Sequence, residues 1–140
     1  MKLFPVVACV FGAFVMGCGR LEPTITRPQA PHGGTIVGLP NGLGNVEVVR
    51  EAVDGKPDES KLFLYFIDAG GKPIVQAPTA ANLKPKERRV AAVSFKPAAG
   101  TDSSKMGALE SSSVRAGGDI SGELSTVIAG KPVAVIVNIR

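Results

Sequence analysis

At 140 residues with a formal net charge of +4, the chain is long enough for one domain with its own core and is only mildly basic. Two cysteines, at positions 9 and 18, exclude a disulfide-rich scaffold and a zinc site built on cysteine pairs. The 17 glycines and 11 prolines fall between apolar runs, which argues for ordered turns and against a disordered chain.

The first 18 residues, MKLFPVVACVFGAFVMGC, set Lys2 before an uncharged apolar stretch over 3–16 and close it with Val15-Met16-Gly17-Cys18. An uncleaved span wants about 20 apolar residues, and this stretch is shorter. A charged start, a short apolar segment and a small residue directly before cysteine resemble the lipobox of bacterial lipoproteins. That resemblance implies a signal helix over 1–17, cleavage before Cys18 and a diacylglyceryl group on the Cys18 thiol. Val6-Val7-Ala8-Cys9 has the same local pattern, but a cut there would leave an apolar region at the lower limit of about 7 residues. The membrane is therefore an expected partner, through an N-terminal lipid, and the cell envelope the expected location. Gly19 is not an aspartate retention signal, which in a Gram-negative host implies the outer membrane, facing the periplasm. Nucleic acid is not an expected partner, because no aromatic residues interleave with the basic ones.

Residues 18–34 carry prolines at 23, 28 and 31 and no apolar periodicity, so they are predicted to be an extended linker. Strands follow at 35–39 and 45–52, the second with Val46 and Val48 on one face and Glu47, Val49 and Glu51 on the other. A turn is predicted over 54–58. The strongest strand is 61–68, KLFLYFID, apolar on both faces and hence expected to be covered on both. Ala69-Gly70-Gly71 signals a tight turn into a partner strand over 72–76. Further strands are predicted over 89–96, 107–114 and 119–127, with a final one over 132–140 that puts Val133, Val135, Val137 and Ile139 on one face. No window sustains a helical period with caps. Residues 35–140 are predicted to form an all-β domain, an antiparallel β-sandwich, immunoglobulin-like or similar, of seven or eight strands.

Pro31-His32-Gly33-Gly34 is the most pointed local feature, because it holds the single histidine at the start of the domain. A neutral imidazole could ligate a transition metal there, with Glu47 as a carboxylate partner if the fold brings it near. The alternative is a turn in which His32 caps the first strand by hydrogen bonding. Lys84, Lys86, Arg88 and Arg89, in LKPKERR, could meet lipid headgroups or other anions, or form a solvated loop. Asp54, Asp58 and Asp68 are expected in turns. No Gly-x-Ser-x-Gly frames any serine, and no cofactor or enzymatic activity is expected.

The order His-Gly-Gly, short strand, Val-Glu-Val strand, then Leu-Tyr-Phe-Ile-Asp with Gly-Lys resembles small exported β domains, some of which begin the periplasmic adaptor subunits of heavy-metal efflux pumps. The likeness covers His32 to about Val75. It implies a β-sandwich module and favours metal contact, whereas the helical hairpin and barrels of such adaptors have no counterpart in these residues, so transport is not implied. The function expected is that of a lipid-anchored envelope lipoprotein acting as a binding or structural module, with metal handling through His32 as the alternative.

Overall fold

The computed structural model describes residues 29–99, 103–115 and 118–140. The expected all-β antiparallel fold is found: nine strands pair in one sheet, and no α-helix occurs among the described residues. They are β1 (Thr35–Gly38), β2 (Asn45–Val53), β3 (Lys56–Ile67), β4 (Ala81–Pro85), β5 (Val93–Pro97), β6 (Leu109–Ser111), β7 (Val114–Arg115), β8 (Ile120–Ile128) and β9 (Lys131–Ile139). The sheet order is β1-β2-β3-β6-β5-β4-β8-β9, with β7 also on β3. The sheet wraps until β9 comes beside β1 and β2, so its two halves face each other across the core as the layers of a sandwich do.

Alternation fills that core. Val46 and Val48 of β2 stand opposite Phe66 and Leu64 of β3. Leu83, Phe95, Leu109, Leu124, Val137 and Ile139 close on them from the other strands. In β8 every second residue from Ile120 to Ile128 is buried, the period-2 pattern of a half-buried strand. Val135 is only partly buried, against the full burial that its neighbours on β9 reach.

Residues Leu62 to Ile67 of β3 are buried on both faces, as expected. The outward set, Phe63, Tyr65 and Ile67, forms a second apolar cluster with Ala108, packed by Ile36, Val49 and Ala98. Its cover includes Lys105, whose Nζ lies 4.2 Å from the centre of the Phe63 ring and 2.6 Å from Glu51 Oε2.

Several expected elements differ. The strand predicted over 72–76 is replaced by a single bridge, Ile67 to Pro73. Pro73 has no N–H to continue a ladder, and Val75 is fully exposed. The turn predicted over 54–58 contracts, since β3 begins at Lys56 and Asp58 lies inside it, next to a register shift opposite Ala52 and Val53. Strand β4 was not expected, because ANLKP offers only Ala81 and Leu83 to the core. The element predicted over 107–114 is divided at Ser112-Ser113 into β6 and β7, both on β3. The 89–96 strand starts later, at Val93.

Candidate functional site

The site is built where the chain enters the sheet. Gly33 adopts φ +76° in the turn before β1, a conformation that glycine takes without strain. Gly34 approaches β2 so closely that a Cβ would lie 2.4 Å from the Val48 carbonyl oxygen. Together they press the amides of this turn against the outward face of β2, where Glu47 stands.

Glu47 is fully buried. Its Oε1 accepts the backbone N–H of His32 at 2.9 Å and that of Gly34 at 2.8 Å. Its Oε2 lies 2.9 Å from His32 Nδ1. A carboxylate only accepts hydrogen bonds, so this geometry puts the ring proton on Nδ1 and directs Nε2 away from Glu47. Three donors replace the water that burial removes from the carboxylate, which is the condition for burying it at all. The imidazole also stacks on Tyr65, with ring centroids 3.7 Å apart and planes 11° from parallel. Tyr65 is the cross-strand partner of Glu47, so one histidine caps both members of a β2–β3 pair.

Beside the ring opens a cavity of about 310 Å³, with His32, Tyr65, Pro73, Ser103, Ser104 and Met106 among its walls. The His32 side chain is 32% exposed, and Met106 is 80% exposed at the same opening. The walls are mostly apolar with a few hydroxyls and the imidazole, the usual make-up of a small-molecule or side-chain pocket.

His32 and Glu47, the two residues expected to hold a metal, are thus brought within hydrogen-bonding distance of each other. Glu47 stands behind the ring and orients it, as carboxylates do behind metal-bound histidines, and both of its oxygens already accept hydrogen bonds. No group of three or more His, Cys, Asp or Glu side chains suited to a metal occurs among the described residues. His32 does lie in a turn before β1, but the side chain that caps the turn's amides is Glu47, and the His32 ring bonds to that carboxylate. Tyr65 was not expected at a site, whereas Ser103, Ser104 and Met106 belong to the 97–106 loop, which as a polar connection between strands is, with the 40–44 loop, a natural contact for a partner. The hairpin at Asp54-Gly55 does not by itself place Tyr65: continued from the Val53–Lys56 pair it would set Leu62 opposite Glu47, and the register shift between Ala52 and Val53 brings Tyr65 there instead. The Cys18 expectation and the apolar stretch over 3–16 lie outside the described residues, among which no helix is long and apolar enough to cross a membrane. Comparison of the chain with protein-family models, with characterised proteins and with solved structures finds no match.

Proposed function

We propose that the protein is a lipid-anchored binding module of the cell envelope. Cys18 carries the anchor, the proline-rich segment that follows gives reach, and the wrapped sheet offers the cavity beside His32 to an envelope partner or ligand. The observation that carries this reading is the clamp on the chain at its point of arrival in the domain. Glu47 holds the His32–Gly34 turn by three hydrogen bonds, and the cavity opens against that same turn. A fixed turn at the point of entry keeps the cavity beside the place where the tether joins the domain, which suits a module recruiting a membrane-proximal partner.

Two measurements test the reading. Intact-mass analysis of protein from envelopes should show a chain starting at Cys18 with added lipid mass, and Cys18→Ala should lose acyl labelling and accumulate as precursor. A wild-type mass equal to unprocessed residues 1–140 would remove the anchor. For the binding half, a partner recovered from detergent-solubilised envelopes should be lost with His32→Ala. Recovery unchanged by that substitution would place binding elsewhere.

A second reading, transition-metal handling, draws on the way Glu47 leaves Nε2 as the ring nitrogen pointing away from the carboxylate. One imidazole with a supporting carboxylate requires further ligands from a partner or from solvent. Calorimetric titration with copper, nickel and zinc decides it: no binding tighter than about 1 mM, or binding that persists in His32→Ala, discards the reading.

A further inference from the structure

We infer that a second site, toward the opposite end of β3 from His32, binds phosphate oxyanions. The sequence element behind it is the serine run at 111–113. Ser111 points inward and its Oγ accepts the Leu62 N–H at 3.0 Å. Ser112 and Ser113 interrupt the pairing between β6 and β7 and are exposed. Two grooves meet along this interruption. One, of about 260 Å³, runs between Arg89 and Arg115 past Ser112 and Ser113. The other, of about 380 Å³, is walled by Lys61, Ser94, Lys96, Glu110 and Ser112. Ser112 lines both, so the grooves adjoin.

Four cations and one carboxylate, Glu110, line the pair of grooves. Among the described residues no carboxylate forms a salt bridge with Arg89, Lys61 or Lys96. Glu110 stands in the wall as the cross-strand partner of Lys96 and accepts the Ala99 N–H at 3.5 Å, and the other carboxylates around them are engaged or outside the walls. Glu51, opposite Lys61 in register, is bonded to Lys105. Glu59 takes Lys56 at 3.0 Å and reaches Arg115 only at 3.7 Å, leaving the Arg115 side chain 82% exposed. Glu87 lies in the turn that leads to Arg89 and is not in either wall. The surplus positive charge is therefore concentrated beside the Ser112 hydroxyl, which lines both grooves, while the Ser113 hydroxyl is engaged with Glu59.

Phosphate fits this set better than a carboxylate does. It offers three or more acceptor oxygens, enough for two guanidinium forks and a serine hydroxyl together, whereas a carboxylate is satisfied by one fork. Arg89 belongs to the LKPKERR cluster, and the structure singles it out from Lys84, Lys86 and Arg88 as the member in a groove wall. A phosphate monoester or diester could come from a lipid headgroup or from free phosphate in the envelope. The chemistry is shared, and the two sources separate by experiment.

The test uses the full chain in a non-ionic detergent at constant ionic strength, observed by amide NMR. Inorganic phosphate is titrated in one arm and glycerophosphoglycerol, the headgroup of an anionic lipid, in the other. In at least one arm the amides of Arg89, Ser112, Ser113 and Arg115 should shift saturably with half-saturation near 1 mM. The double variant R89A/R115A should weaken that binding about ten-fold or more, and Lys72→Ala should leave it unchanged. Tighter binding of glycerophosphoglycerol assigns the site to lipid headgroups, and tighter binding of inorganic phosphate assigns it to the free ion. Should R89A/R115A lose its native spectrum, K61A/K96A replaces it with the same expected direction. Failure to saturate below about 100 mM in both arms, or unchanged binding in a folded double variant, overturns the inference.

Discussion

Replacing Glu47 probes the site and the fold through one side chain. The carboxylate is fully buried and accepts hydrogen bonds from two backbone amides and the imidazole. Glu47→Ala removes the shared acceptor and strands three donors. Hydrogen bonds to a charged group contribute about 1.5–3 kcal/mol each, and an orphaned buried donor costs about 1–3 kcal/mol. The His32 ring is partly exposed and water can reach its nitrogen, so the two amides dominate. The expected loss is about 3–5 kcal/mol, a large share of the roughly 5–15 kcal/mol that a domain has in total. Glu47→Gln separates acceptor from charge. Its carbonyl oxygen can keep the two amides, but its NH₂ then faces Nδ1, which must become an acceptor, and the ring proton moves to Nε2. The cost falls to about 1–2 kcal/mol, and the tautomer reverses. Urea unfolding monitored by tyrosine fluorescence gives the energies. With one histidine in the chain, the ¹⁵N spectrum of the ring gives the tautomer without assignment. A loss below about 0.5 kcal/mol for Glu47→Ala, or an Nδ1-protonated ring in Glu47→Gln, would refute the reasoning.

The remaining predictions concern core, turns and charge. Leu64→Ala and Leu83→Ala, both at fully buried positions, should each destabilise by about 2–5 kcal/mol in denaturant unfolding, and half-buried Val135→Ala by less than either. Gly44→Ala should cost about 2 kcal/mol or more, since Gly44 sits at φ +105° and a Cβ would lie 2.4 Å from the Ile67 carbonyl oxygen; a neutral result would mean that the loop after β1 relaxes freely. Ala129 turns the β8–β9 hairpin at φ +50°, which alanine disfavours and asparagine tolerates, so Ala129→Asn should stabilise by about 0.5–1 kcal/mol in the same assay. The hydrogen bond from Lys56, followed by that from Ser113, holds the Glu59 carboxyl below the usual range. A depressed carboxylate stabilises above its unfolded pKa and loses that contribution as pH falls through the folded value. Lys56→Ala should therefore raise the Glu59 midpoint in a ¹³C-detected carboxyl titration, and an unmoved midpoint would exclude Lys56 as the cause.

How much of this was legible in the sequence depended on whether one strand or several carried the signal. KLFLYFID announces a strand covered on both faces by itself, and β3 is one. The alternation of β8 was fainter only because Gly122 and Thr126 share the inward face with Ile120, Leu124 and Ile128. Strand β4 could not be read from five residues with two apolar members; it exists because β5 and β8 flank it and complete its ladders. His32 and Glu47 were legible as a possible pair from residue type, but the pairing needed the approach of Gly34 to β2. The 97–106 loop was legible as a contact segment, but not the cavity, since Ser103, Ser104 and Met106 come beside His32 and Tyr65 from a segment remote in sequence from β3.

The site and the second apolar cluster are consequences of one problem. A strand apolar on both faces leaves Phe63, Tyr65 and Ile67 pointing outward from a sheet whose other face already fills the core. Left uncovered, such a row would expose a contiguous apolar patch. The chain covers it at two places with polar or charged groups that bring their own partners: His32, bonded to Glu47, over Tyr65, and Lys105, bonded to Glu51, over Phe63. Both anchoring carboxylates come from the outward face of β2, two residues to either side of Val49. The covers use different chemistry, a stacked imidazole and a cation over a ring, so they need not respond alike to conditions. Among the described residues the cover between His32 and the 103–107 segment is incomplete, and the cavity is that gap. A ligand entering it would complete the burial of Tyr65 and Ile67 and meet the edge of an imidazole already oriented from behind. Affinity would then come from apolar contact and selectivity from the ring, which is the division of labour that the proposed binding module requires.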